Sequence, residues 1–120
     1  MAANKNRLTI KRGTDYDLTV NYQVNGVAAS IAGATIYFTA KAVEWDSFQN
    51  DSSEKIEKTI TSHTDPVNGI STISLTAADT YIPAATYFYD IRIKTAEGKS
   101  YVLIEGTLVI DGSATNRNTL

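Results

Sequence analysis

Apolar and polar residues alternate with a period of two through most of this chain, the signature of strands with one buried side and one solvated side. Leu8, Ile10 and Arg12 alternate with Arg7, Thr9 and Lys11, and Gly13 ends this first strand. Leu18, Val20, Tyr22 and Val24 then oppose Asp17, Thr19, Asn21 and Gln23, the clearest run in the chain. Asn25-Gly26 follows, the pair best able to supply the positive φ angles of a tight turn, and a short extended segment leads to Gly33. Residues 34–43 predict another strand, with Ile36, Phe38 and Ala40 facing away from Tyr37, Thr39 and Lys41. Residues 44–54 break the pattern with Glu44, Asp46, Asp51 and Glu54 among Ser and Asn, and read as a long loop carrying two aromatics, Trp45 and Phe48.

The second half continues in the same style. Ile56, Lys58 and Ile60 alternate with Glu57, Thr59 and Thr61, and the charges at these positions suggest a sheet edge. Asp65-Pro66-Val67-Asn68-Gly69 carries turn chemistry at both ends and predicts a hairpin onto a strand over residues 70–75, with Ile73 and Leu75 inward. Across residues 76–86 the pattern lapses, and Pro83 marks a crossover between sheets. Tyr87, Tyr89, Ile91 and Ile93 then share one face of a long strand, Glu97-Gly98 turns the chain, and residues 101–110 form the last strand.

About seven short antiparallel strands with turn signals between them predict an all-β fold, an immunoglobulin-like Greek-key β-sandwich. One domain is expected over residues 1–111, followed by a flexible polar tail over residues 112–120. Asp79 and Tyr87-Phe88-Tyr89, placed after the proline-bearing crossover, match the layout of a tyrosine corner, in which the Tyr87 hydroxyl would pin the connection by bonding backbone.

Composition strengthens this picture. Thr, Ile, Val and Tyr supply 42 of the 120 residues, the types that suit a pleated surface. The chain has no Cys and a single His, His63, so disulfides, thiol nucleophiles and Cys/His zinc sites are excluded. Eleven basic against thirteen acidic side chains leave a net charge of −2, without the basic excess that nucleic-acid binding requires. No apolar run reaches the length of a signal peptide core or a membrane span, so neither nucleic acid nor membrane is an expected partner.

Candidate chemistry is correspondingly thin. Asp15 and Asp17 flank Tyr16 where a strand begins and read as a solvated pair, and His63 reads as a solvated loop side chain with no second metal ligand beside it. The acidic loop lacks the alternate ligand spacing and central glycine of a calcium loop. No catalytic, cofactor-binding or metal-binding residue is expected, and the chain is read as a non-enzyme. The interface candidates are Trp45 and Phe48, since aromatics on a polar loop are the kind of residue that anchors a contact.

The order RGTDYDLTV, then NG, GATIYFTAK, the acidic loop, KIEKTIT, DPVNGISTISLTAADT and IPAATYFYDIRIKTAEGKSYVLIEGTLVI resembles the N-terminal immunoglobulin-like domain of phage baseplate upper proteins, over residues 12–110. The resemblance implies a structural module that docks to other virion proteins, and it carries over no site residue. In that family a receptor-binding or fibre-like region often follows the domain. Here the chain ends soon after its last strand, so the expectation is a small stand-alone component of a tailed-phage or prophage virion, in the tail, baseplate or capsid. It would be made in the host cytoplasm without a signal peptide and would assemble with copies of itself or with other phage structural proteins. The competing expectation is a carbohydrate- or cell-surface-binding adhesion module in which Trp45, Tyr37 and Tyr101 stack on sugar faces.

Overall fold

Ile36, Phe38 and Ala40 are fully buried while the residues between them are half exposed, so the period of two seen in the sequence fixes the inner face of the strand Thr35–Lys41. In the computed structural model, which describes residues 4–41 and 54–112, the strands are β1 (Asn4–Lys11), β2 (Tyr16–Asn21), β3 (Gln23–Val24), β4 (Val27–Ala28), β5 (Thr35–Lys41), β6 (Glu54–Ile60), β7 (Ile70–Leu75), β8 (Ala85–Lys94) and β9 (Ser100–Asp111). A single helical turn, α1 (Ala77–Thr80), interrupts the crossover before β8. The fold is mostly β. One sheet has the order β1-β9-β8-β5-β6, and β2-β7 and β3-β4 form two smaller ones.

Buried side chains from the five-stranded sheet and from the β2-β7 pair meet in one core. Val20, Ile73 and Leu75 come from β2 and β7, and Leu8, Ile10, Phe38, Tyr89, Ile91 and Leu108 come from the five-stranded sheet. At its centre Phe38 and Tyr89, on neighbouring strands, stack with ring centroids 5.5 Å apart, an arrangement that adds to the area they bury.

Three sequence expectations are corrected. The strands are not all antiparallel: β1 runs parallel to β9, from Asn4 opposite Ile104 to Lys11 opposite Asp111. Gly13, at φ +75°, turns the chain away from β1 and into the other sheet, which leaves the first strand to pair with the last. The DPVNG turn does not join a hairpin, because β6 pairs with β5 and β7 pairs with β2. Asp65 and Ile70 do bridge across it and Pro66–Asn68 forms a 3-10 turn, but the chain leaving that turn changes sheets. Turn residues specify a local reversal. Which strands pair beyond it is decided by the burial of Ser71, Ile73 and Leu75 against the main sheet. Lastly, the long second strand breaks at Tyr22. The Tyr22 N–H donates to the Gly69 carbonyl at 2.7 Å, and the Ala29 N–H donates to the Tyr22 carbonyl at 3.1 Å. Val24 thereby leaves the core face and joins a separate hairpin.

The Asn25-Gly26 turn forms as read. Both residues have positive φ, 54° and 79°, and Val24 pairs with Val27 across them. β6 lies at the edge of the five-stranded sheet, as its charges suggested.

Candidate functional site

Strand register sorts the connections into two ends. Lys11 opposes Asp111 and Ala85 opposes Ile110, so the β1–β2 turn, the α1 crossover and the end of β9 share one end. The β3–β4 hairpin, the Pro66–Asn68 turn and the β8–β9 turn share the other.

At the first end polar groups are consumed in holding the connections. Thr14 and Thr80 bond reciprocally: the Thr14 N–H donates to Thr80 Oγ1 at 3.0 Å, and that hydroxyl donates to the Thr14 carbonyl at 2.8 Å. Asp15, read as a solvated side chain, accepts from the Ala77 N–H at 2.7 Å and so caps α1 from a distant turn. Asp79 and Thr76 complete a capping box on the same turn. The Arg12 guanidinium lies 4.4 Å from the Tyr81 ring centroid, a cation–π contact. The Tyr87 hydroxyl donates to the Pro83 carbonyl four residues upstream, the kind of bond on which a tyrosine corner depends.

His63 is not a solvated side chain. Its Nε2 lies 2.8 Å from the Ala34 carbonyl and its Nδ1 lies 2.9 Å from Ser71 Oγ. A carbonyl only accepts, so Nε2 carries the proton, and in the neutral ring Nδ1 accepts from the Ser71 hydroxyl. The ring therefore bridges the two sheets at the second end, over a serine that is fully buried.

That second end also carries the large apolar side chains most exposed among the described residues. Val24 is 44% exposed, Val27 68% and Val67 72%. The loops bearing them are joined: the Ile31 N–H donates to the Pro66 carbonyl at 2.8 Å, and a Cβ on Gly69 would stand 2.4 Å from the Ala29 carbonyl oxygen and 2.6 Å from that of Tyr22. Beside the valines a groove of about 290 Å³ opens between the β3–β4 region and the β8–β9 turn. Ala29, Ala32 and Ala96 line its accessible side, Ile31, Ala34 and Ile93 lie buried beneath it, and Glu97 is the one carboxylate among the lining residues. Burial, with Tyr101 and then Glu97 nearby, pushes the Tyr22 hydroxyl above its ordinary range.

The interface candidates Trp45 and Phe48 lie outside the described residues, as does the tail beyond Gly112. Tyr37 and Tyr101 are not brought together. Tyr37 opposes Arg92 and Tyr101 opposes Ile93, and adjacent residues of β8 point to opposite faces. The valine end was missed because a period-two reading places Val24 in the core. The available signal was the symmetry of Val24 and Val27 about Asn25-Gly26, which sets two apolar side chains at the tip of a two-residue hairpin.

Among the described residues no group of three or more acidic or His side chains is disposed to hold a metal ion, and no helix is long and apolar enough to cross a membrane. No family model matches the chain, and no curated protein is significantly similar to it.

Proposed function

We propose that this chain is a non-enzymatic structural component of a tailed-phage or prophage virion, a tail, baseplate or capsid accessory protein that works by protein–protein assembly. The observation that carries the assembly reading is the group of exposed valines, Val24, Val27 and Val67, on two loops bonded to each other at one end of the fold. Apolar side chains held outward on short, tied loops favour a protein contact over solvent. The virion setting draws its support from the sequence resemblance to phage baseplate upper proteins. An immunoglobulin-like Greek-key sandwich fits the same reading, supported by the β2-β7 pair sharing a core with β9-β8-β5-β6, by the parallel β1–β9 pairing, and by the Tyr87 bond after the crossover. Partners are copies of the chain or neighbouring virion proteins, and repetition around a particle axis would turn modest single contacts into avidity.

The test pairs light scattering on the purified chain with peptide mass spectrometry of purified particles. The expected result is a mass above one chain that falls in Val27→Asp and Val67→Asp variants of unchanged unfolding midpoint, with peptides of the chain recovered from particles. A strict monomer, indifferent to both substitutions and missing from particles, overturns the proposal.

A further inference from the structure

β2 has a partner on one side only. It pairs with β7 from Tyr16 opposite Leu75 to Asn21 opposite Ile70, and among the described residues no strand lies on its other side. The Tyr22 N–H donates to the Gly69 carbonyl, which sets the phase of that ladder. Bonded and unbonded pairs alternate between antiparallel strands, so Val20, Leu18 and Tyr16 bond to β7 while Asn21, Thr19 and Asp17 turn their backbone groups to the open side. No described residue bonds to those groups, and all three residues are exposed. Tyr16 and Leu18, on the core-facing side, stay half-exposed, whereas Ser71, Ile73 and Leu75 opposite are buried.

The other edges are protected in ways that this one is not. On β6 the Lys58 ammonium pairs with Asp79 on the inner side, and β1 carries Arg7 and Lys11. The free side of β7 is flanked by residues 63–65, through the Asp65–Ile70 bridge and a 2.7 Å bond between the Thr64 and Thr72 hydroxyls. Such charges and covers discourage pairing between chains. β2 has a single charge, Asp17, with no lysine, proline or bulge. Its residue order also suits one particular partner. Tyr16-Asp17-Leu18-Thr19-Val20-Asn21-Tyr22 reads nearly the same in both directions about Thr19. A second copy related by a two-fold axis through Thr19 would set Thr19 against Thr19, Asp17 against Asn21 and Leu18 against Val20. The open backbone groups then meet in bonding phase, the carboxylate faces an amide rather than its own copy, and threonine faces threonine, a favourable cross-strand pair. Tyr16 and Leu18 would lose the surface that they now expose.

We propose that two copies of the chain join edge to edge through β2, antiparallel about Thr19, so that two β2-β7 pairs become one continuous sheet. The contact is separate from the valine end and goes beyond the assembly reading, which does not require it.

The experiment is analytical ultracentrifugation of the full chain carrying Val27→Asp and Val67→Asp, which silence the valine end. A dimer is expected. Thr19→Pro removes the open-side N–H and no bond to β7, and should weaken the dimer about thirtyfold, the factor for two lost inter-chain backbone bonds. Thr19→Lys sets like charges opposite one another and should weaken it about fivefold at an unchanged unfolding midpoint, which decides the matter if the proline variant does not fold. Cross-linking reads the register. The chain has no Cys, so Thr19→Cys treated with an ethane-bridged bis-methanethiosulfonate joins copies only through position 19, where opposed Cα atoms would lie about 5.5 Å apart. Asp17→Cys or Asn21→Cys alone would stand about 13 Å along the strand from its own copy and should not cross-link, while a mixture of the two should. A monomer in the valine-silenced chain, a dimer indifferent to Thr19→Lys, or equal cross-linking at all three positions overturns the inference. Association that vanishes with the valine substitutions sinks the β2 contact and spares the assembly reading at the valine end. A β2 dimer whose mass is the same with and without those substitutions does the reverse.

Discussion

Lys58 Nζ lies 2.7 Å from Asp79 Oδ2, with both side chains about three-quarters buried, at 26% and 25% exposure. Lys58 opposes Phe38 on the inner side of β6, so its charge sits at a core-facing position of an edge strand, a device that discourages pairing with other chains. Asp79 meets it from α1 while also accepting from the Thr76 N–H at 2.8 Å. Removing the carboxylate ends the capping box and leaves a half-buried ammonium alone. Asp79→Ala should therefore cost about 2 kcal/mol in chemical denaturation.

The same pair sets an acid limit. Burial alone would raise the Asp79 carboxyl, but the bonds from Lys58 and Thr76 outweigh it and hold the group below its ordinary value of 3.8. A depressed folded-state value contributes stability that is present above the ordinary range and lost as pH falls through the folded value. Asp79→Asn should flatten the decline of stability in acid, measured as the denaturation midpoint against pH. An unchanged acid slope would remove Asp79 from the account.

Tyr87→Phe removes one hydroxyl and little else. If the bond to the Pro83 carbonyl holds the crossover, the loss is about 1 kcal/mol, read as a lower unfolding midpoint. An unchanged midpoint would show that Tyr87 works by packing alone.

His63→Ala leaves both the Ala34 carbonyl and the fully buried Ser71 hydroxyl without the ring that satisfied them. The expected loss is about 2 kcal/mol. Adding Ser71→Ala should recover part of it, because the orphaned hydroxyl is then gone. Additive losses in the double variant would contradict the bridging role.

Two glycines with similar backbone should respond differently to alanine. Gly98 has φ +87° and open space where a Cβ would sit, so only the left-handed conformation is penalised, at about 1–2 kcal/mol. Gly69 has φ +74° and two carbonyl oxygens within 2.6 Å of its Cβ position. Gly69→Ala should cost about 3 kcal/mol or more and loosen the valine end. Equal midpoints would mean that the Tyr22 and Ala29 loop yields freely.

Tyr89 sets an alkaline limit. Burial, with Tyr16 adding to it, pushes its hydroxyl up to about 12. The unfolded chain gives up that proton near pH 10, so stability is whole below that point and falls by about 2–3 kcal/mol as pH climbs to the folded value. Tyrosinate absorbance should show the Tyr89 hydroxyl ionising together with unfolding, alongside those of Tyr22 and Tyr87, which burial also raises, and Tyr89→Phe should reduce the alkaline slope.

Alternation along each strand settles which side chains face inward. Leu8 and Ile10, Ile36 and Phe38, Ile73 and Leu75, and Tyr87 through Ile93 lie as their alternation required, because a strand's period is a local property of its backbone. The Asn25-Gly26 turn was legible for the same reason, since its φ angles depend on those two residues. Which strands pair was not legible. The DPVNG motif specified a reversal, yet β6 and β7 part into different sheets, and each residue of β1 has its parallel partner 100 positions further along. Pairing is chosen by the sum of burial over the whole core, a quantity no window of sequence contains. The valine end follows the same rule. Tyr22 gives its N–H to the carbonyl of Gly69, far along the chain, and its carbonyl to Ala29, and beyond it Val24 pairs with Val27 in a separate hairpin, so its exposure and the groove beside it exist only in the tertiary structure.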